Sequence, residues 1–345
     1  MQETAIAAHE PESPAGANGS GSVPRLEDIK APVAEDLKRF RAYFREAMRS
    51  DIGLLDKVTQ YVLRRKGKEI RPILVLLSAR AAGSVTETTY RGAALVELLH
   101  TATLAHDDVV DDSSRRRGAF SINALWKNKV SVLFGDFLLS RGLLMSLDNR
   151  DYELLHVMSD AVRRMSEGEL LQIEKARKLD IDEQTYMRII SDKTASLISA
   201  CTKSGAVSAT DDRDVIRSMH EFGEHLGMAF QIRDDLFDYG VRDVGKPLGI
   251  DIQERKMTLP LIHALRVASP AERRPILRLV RGRRRGRSDV RAISAFVDET
   301  GGLAYARRLM TENADAARRC LTALPENGAR ASLDDLVRYV VGRNV

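Results

Sequence analysis

The sequence predicts an all-α fold, a single domain of roughly ten or more helices bundled around a central cavity. Three observations lead to it. Ala, Leu, Arg, Glu and Met, which favour helices, are plentiful across the 345 residues, whereas aromatics make up only 5%. Few stretches alternate apolar with polar residues as strands do, and apolar residues recur instead at helical spacing from about Val33 to the end. Short turn signals punctuate that pattern at Gly67, at Gly83 and Ser84, at Asp148 and Asn149, and from Asp211 to Asp214.

In chain order, residues 1–30 are rich in Ala, Pro, Gly, Ser and Glu and lack the hydrophobicity to form a core, so a disordered extension is expected there. The segment has no basic stretch leading into an apolar one, which argues against a signal peptide, and its acidic residues argue against a transit peptide. Residues 31–345 are expected to form one helical domain. No run of about eighteen apolar residues is evident, so a spanning helix is not expected and any membrane contact would be peripheral. The 54 basic and 49 acidic residues leave a formal charge of +5, too balanced to indicate nucleic-acid binding. The densest basic run, Arg281 to Arg287, has no aromatics to stack on bases and reads as a solvated loop between helices. Cys201 and Cys320 are the only cysteines, which suggests neither a disulfide framework nor a cysteine zinc site and fits a reducing cytoplasm.

The chemistry concentrates in two clusters of the form DDxxD, Asp107, Asp108 and Asp111 in HDDVVDD, and Asp234, Asp235 and Asp238 in FQIRDDLFD. Inside a helix, residues i and i+4 share a face with i+1 close by, so each cluster forms a carboxylate patch aimed one way. Such a patch repels itself unless cations intervene, and carboxylate oxygens suit Mg²⁺, which completes its shell with water and phosphate oxygens. A lone DDxxD is more simply a solvated helix face; two copies in apolar helices, separated by several helices and able to face each other across a core, favour metal and diphosphate. Cationic groups accompany them. Lys68 and Arg71 in GKEIRP share a face if that segment is helical, and a lysine beside a forked guanidinium suits a phosphate. Arg115, Arg116 and Arg117 follow the first cluster and point in different directions. Lys193 with Thr194, Lys246 and Lys256 surround the second in sequence. His100 and His106 are six residues apart, on different helical faces, and suit hydrogen bonding better than zinc.

In order, GKEIRP, ELLHTATLAHDDVVDDSSRRRG, LFGDFLLSRG, EGELLQ, DKTASL, FQIRDDLFDY, GKPLGID and KMTLP resemble the trans-isoprenyl diphosphate synthases, or polyprenyl synthetases, over most of residues 60–260. The resemblance implies the isoprenoid synthase type of all-α fold, usually as a homodimer. It also implies a head-to-tail (1'-4) condensation of isopentenyl diphosphate with an allylic diphosphate, using Mg²⁺, about three ions to a site. Carried over by motif, Asp107, Asp111 and Asp234 would bind Mg²⁺ directly, with Asp108, Asp235 and Asp238 orienting metal waters or completing the shell. Arg116, Lys193, Thr194, Gln231, Lys246 and Lys256 would surround the allylic diphosphate. Lys68, Arg71, His100 and Arg117 would hold isopentenyl diphosphate. Glu69 falls where many relatives are basic, and Arg115 has no assigned role.

Ala102 and Thr103, five and four residues before Asp107, are small where relatives with shorter products tend to carry an aromatic ring, which suggests a product of more than about twenty carbons, as made for quinone side chains. Met158 shares a helical face with Met165 and Gln172 and lies about 21 Å from Gln172 along an ideal helix, a candidate tunnel floor or an ordinary core methionine. A short-chain farnesyl or geranylgeranyl diphosphate synthase is the alternative. An inactive regulatory subunit of a heteromeric synthase is a third reading, against which both clusters and all the mapped cations are present.

Overall fold

A computed structural model describes residues 23–64, 67–116, 119–178, 181–239, 250–253, 256–282 and 286–342. Its helices are α1 (Leu26–Lys30), α2 (Ala34–Ala47), α3 (Gly53–Leu63), α4 (Ile70–Ala82), α5 (Glu87–Val110), α6 (Ile122–Asp148), α7 (Tyr152–Lys178) and α8 (Glu183–Ile190). After a π segment at Ser191–Ala195 come α9 (Ser196–Val207), α10 (Arg213–Phe237), α11 (Ile250–Gln253), α12 (Leu259–Val267), α13 (Pro270–Arg281), α14 (Arg287–Glu299), α15 (Gly302–Cys320) and α16 (Gly328–Gly342). The breaks fall at the turn signals. Gly83 ends α4, Asp148 ends α6, and Asp212 caps α10 by accepting from the backbone N–H of Asp214 and Val215 at 2.9 and 3.3 Å.

At the centre lies α4, whose residues from Pro72 to Ala79 are all buried. A helix apolar all round can only be stable inside a bundle. Next to it, α9 packs against α4, α5, α7 and α10, so the helices carrying the two aspartate clusters, α5 and α10, flank a shared neighbour. The main apolar cluster joins α2, α4, α5, α7, α9, α10 and α16. A second gathers α8, the end of α10 and α12 to α15. A third, built on Met48, Leu98, Ala102, Phe134 and Leu138, seals α5 against α6.

One expectation needs correction, and two features add to the others. The ordered chain begins before residue 31, because Ile29, Val33, Leu37 and Phe40 form an i, i+4, i+8, i+11 stripe that is buried in the main cluster, and α1 packs on α16. Only residues 1–22 of the expected disordered extension lie outside the described residues. A minimal two-stranded ladder also exists, β1 (Arg115–Arg116) antiparallel to β2 (Ala119–Phe120), closing the connection after the first cluster. The expectation that no helix spans a membrane stands, although α6 has the length and composition for it, with mean hydropathy 1.5 over its best window, of which 33% is buried. Asp136 and Arg141 interrupt its apolar run, and charges at mid-helix are costly in a bilayer.

Candidate active site

Each aspartate cluster closes a long helix. The sequence pattern had suggested helix interiors, but α5 ends at Val110 with Asp111 as its C-cap, and α10 ends at Phe237 with Asp238 as its C-cap. The negative end of a helix dipole disfavours carboxylates, so both motifs sit where electrostatics oppose them twice, through the dipole and through each other. Burial is patterned alike in both. Asp107 and Asp234 are exposed, whereas Asp108 and Asp235 are buried. Among the described residues no three His, Cys, Asp or Glu side chains form a ready-made metal cage. The exposed carboxylates at two helix ends fit Mg²⁺, a cation that uses one or two protein carboxylates and borrows substrate oxygens.

The second cluster is tied down in detail. Asp235 is fully buried; its Oδ2 accepts from the Tyr186 hydroxyl at 2.7 Å, and its Oδ1 accepts from Gln231 Nε2 and Lys256 Nζ, both at 3.0 Å. Lys256 Nζ also reaches Asp251 at 3.1 Å. Burial works against the Lys256 charge, but Asp235 and Asp251 outweigh it and raise its pKa, so the ammonium stays protonated. Burial pushes the Asp235 carboxyl upward, opposed chiefly by Lys256, and pushes the Tyr186 phenol far up, so Tyr186 remains a donor. Gln231 is oriented from both sides, since its Oε1 accepts from Thr194 Oγ1 at 2.9 Å. Lys193 Nζ pairs with Glu169 at 2.5 Å and donates to Gln172 Oε1 at 3.3 Å.

These groups meet at one cavity of about 150 Å³, lined by Gln172, Tyr186, Lys193, Thr194, Gln231 and Lys256 on its polar side and by isoleucines and Met257 on its apolar side. Four of the residues expected around an allylic diphosphate are thus brought together. Lys246 and Arg117 lie outside the described residues, as does the side chain of Arg116. Lys68 and Arg71 do not share a helical face. Lys68 is exposed in the loop before α4, and Arg71 is in its first turn, where Pro72 is tolerated. Glu69 between them takes a left-handed φ of 52° and is held by the Arg41 guanidinium, Nε to Oε1 at 2.9 Å, which fixes the loop carrying Lys68. His106 packs on Gly135 and contacts Val132 O and Asp136, each at 3.3 Å, a structural role. His100 lies on α5, partly buried.

The three chain-length candidates do not share one wall. Ala102 is buried with Phe134 in the cluster facing α6, while Met158 is buried in the main cluster. Thr103 is partly exposed, its hydroxyl donating to His100 O at 2.9 Å. Tyr186, Asp251 and Arg41 escaped the sequence reading. Tyr186 lies only seven residues before Lys193, yet its link to Asp235 spans 49 positions and has no periodicity to reveal it.

The sequence pattern of polyprenyl synthetases matches residues 52–297. The octaprenyl diphosphate synthase of Escherichia coli strain K12 is 37% identical over 321 residues, covering 92% of this chain and 99% of its own length. A crystal structure of a decaprenyl diphosphate synthase from Rhodobacter capsulatus superposes with a TM-score of 0.86 at 37% identity, covering 92% and 99% of the two chains. A polyprenyl synthase from Caulobacter crescentus CB15, complexed with calcium and isoprenyl diphosphate, does so with a TM-score of 0.83 at 32% identity, covering 94% and 100%. The chain belongs to the polyprenyl synthetase family of prenyltransferases, as a long-chain trans-polyprenyl diphosphate synthase.

Proposed function

We propose that the chain joins isopentenyl diphosphate head-to-tail to an allylic diphosphate, in a reaction dependent on Mg²⁺, and repeats the step to a long all-trans polyprenyl diphosphate with release of pyrophosphate. The observation that carries this reading is the convergence of Lys193, Thr194, Gln231 and Lys256 on one cavity beside the second aspartate cluster. Bound Mg²⁺ supplies charge neutralisation for the departing pyrophosphate. Lys193, released from Glu169, and Thr194 offer donors to the allylic diphosphate, and Gln231 passes the position of Asp235 on to Thr194. Asp107, Asp111 and Asp234 present the exposed carboxylates for the metal, while Asp108, Asp235 and Asp238 fix its surroundings. Lys68, Arg71, His100 and Arg117 receive isopentenyl diphosphate. The apolar side of the cavity keeps water from a reactive allylic cation. The relative solved with calcium and isoprenyl diphosphate supports the pairing of a divalent cation with this ligand class. Labelled isopentenyl diphosphate, each allylic primer and Mg²⁺, followed by product sizing, test the reading; no elongation sinks it, and products stopping at twenty carbons or fewer select the short-chain alternative.

Product length is set beside α5. Ala102 is sealed against Phe134, so Ala102→Tyr overpacks that contact, at a cost of about 1–3 kcal/mol. Thr103 faces a more open direction, and Thr103→Phe is expected to shorten the product. An unchanged product ladder from Thr103→Phe would remove α5 from the tunnel wall.

The working form is a homodimer in the cytoplasm, where the unpaired Cys201 and Cys320 remain thiols. Val132, Leu143 and Leu147 are 38–46% exposed along one side of α6 after its kink at Lys127, an apolar strip suited to a second copy. Leu143→Asp should shift the sedimentation coefficient from dimer to monomer; an unchanged value places the contact elsewhere.

A further inference from the structure

We infer that Arg164 is a positioning residue that holds Lys193 and Thr194 in place by tying down the π segment that carries them. This inference rests on the reading of Lys193 and Thr194 as ligands of the allylic diphosphate. π segments are rare and cluster at functional sites, and one extra residue redirects the following side chains by about 100° relative to an unbroken helix. A turn whose hydrogen bonds depart from the α pattern gains definition from outside ties. Arg164, from α7, supplies them. Its Nε donates to Asp192 Oδ1 at 2.9 Å, its Nη2 donates to Ser191 Oγ at 2.9 Å and to Ser191 O at 3.4 Å, and its Nη1 donates to Glu224 Oε1 of α10 at 2.5 Å. Ser191 Oγ in turn reaches Glu224 Oε2 at 3.3 Å. One guanidinium therefore joins α7, the π segment and α10 at the two residues immediately before Lys193.

The packing around the segment supports the same role. A Cβ on Gly168 of α7 would lie 3.0 Å from both Asp192 Cβ and Lys193 N, and one on Gly227 of α10 would lie 2.5 Å from Ala195 Cα. Both helices thus press directly on the π backbone, and side-chain bulk cannot separate them from it. The helices that clamp the segment also meet its catalytic side chains one to two turns later, at Glu169 and Gln172 on α7 and at Gln231 on α10. Arg164 itself lies about 12 Å along α7 from Gln172, by the helical rise of 1.5 Å per residue, and acts through the backbone it holds. Without it, Glu224 would lose its guanidinium and Asp192 would keep only the exposed Arg188, 3.6 Å away, so two carboxylates 15% and 21% exposed would lose the cation that joins them and loosen the π segment on α10.

The test is a kinetic cycle on the full chain, using Arg164→Met, Lys193→Ala and the double variant, with farnesyl diphosphate as the allylic probe, isopentenyl diphosphate and Mg²⁺. Arg164→Met is expected to raise KM for the allylic diphosphate on the order of tenfold, with KM for isopentenyl diphosphate changed less than about twofold. In the Lys193→Ala background the same substitution should add less than about threefold, because one of the two groups it positions is already gone. Arg164→Lys, which keeps a charge but loses the fork, should recover part of the loss. Equal rises in both KM values, or the same fold loss in both backgrounds, would overturn the inference and leave Arg164 a general stabiliser. Should Arg164→Met fail to fold, Glu224→Gln replaces it in the same cycle with the same two outcomes. A native chain that turns over no allylic diphosphate would overturn the proposed function instead, a result distinct from an active chain indifferent to Arg164.

Discussion

Replacing Asp107 or Asp234 with Asn is expected to lower the condensation rate on the order of a thousandfold, and Asp234→Asn to leave the free protein slightly more stable. The two effects come from one geometry. Both side chains are exposed in the last turns of α5 and α10, beside a second carboxylate and at the negative end of the helix dipole. For Asp234, without Mg²⁺ the helix dipole and the neighbouring carboxylates oppose the charge, so its removal should raise the melting temperature by roughly 1–2 °C. With Mg²⁺ and pyrophosphate present the order should invert, because only the native chain gains binding free energy. Thermal unfolding with and without these ligands, beside a rate assay, checks both signs. A variant that is destabilised in both conditions would show that the aspartate serves the fold rather than the metal.

Lys256→Met is expected to behave in the opposite way and destabilise the free protein by about 3 kcal/mol, near the low end for breaking a buried ion pair, because the lysine retains 28% side-chain exposure. Asp235 is wholly buried and would keep only Tyr186 and Gln231 as donors, leaving its charge poorly compensated. Asp235, short of its ammonium, would hold Gln231 and through it Thr194 less firmly, and the cavity would lose one of its cations, so activity should fall together with stability. A melting temperature lower by roughly 4–5 °C is the expected readout. An unchanged melting temperature would mean that Asp235 accepts burial without its lysine, and the hub would lose its explanation.

The contrast between adjacent residues Asp234 and Asp235 shows where sequence reading stops. Both belong to one legible motif, and residue type and spacing alone assign them similar chemistry. Only packing separates them, because α10 turns Asp235 inward toward Tyr186 and Lys256 and leaves Asp234 at the surface. Glu69 teaches a similar lesson. It looked like a variable place in a basic motif, yet it anchors the loop of Lys68 through Arg41, 28 positions away.

By itself the sequence determined the all-α class, the helix breaks at Gly83, Asp148 and Asp212, the two acidic motifs and the family. These are local properties, written in residues a few positions apart, within reach of a helical turn or a cap. Tertiary structure decided that both motifs close their helices, that Ala102 and Met158 lie in separate clusters, and that Arg164 spans three elements beside Lys193. Those outcomes depend on which helix faces meet. Contacts between residues 28 to 60 positions apart leave no spacing pattern for a single sequence to display.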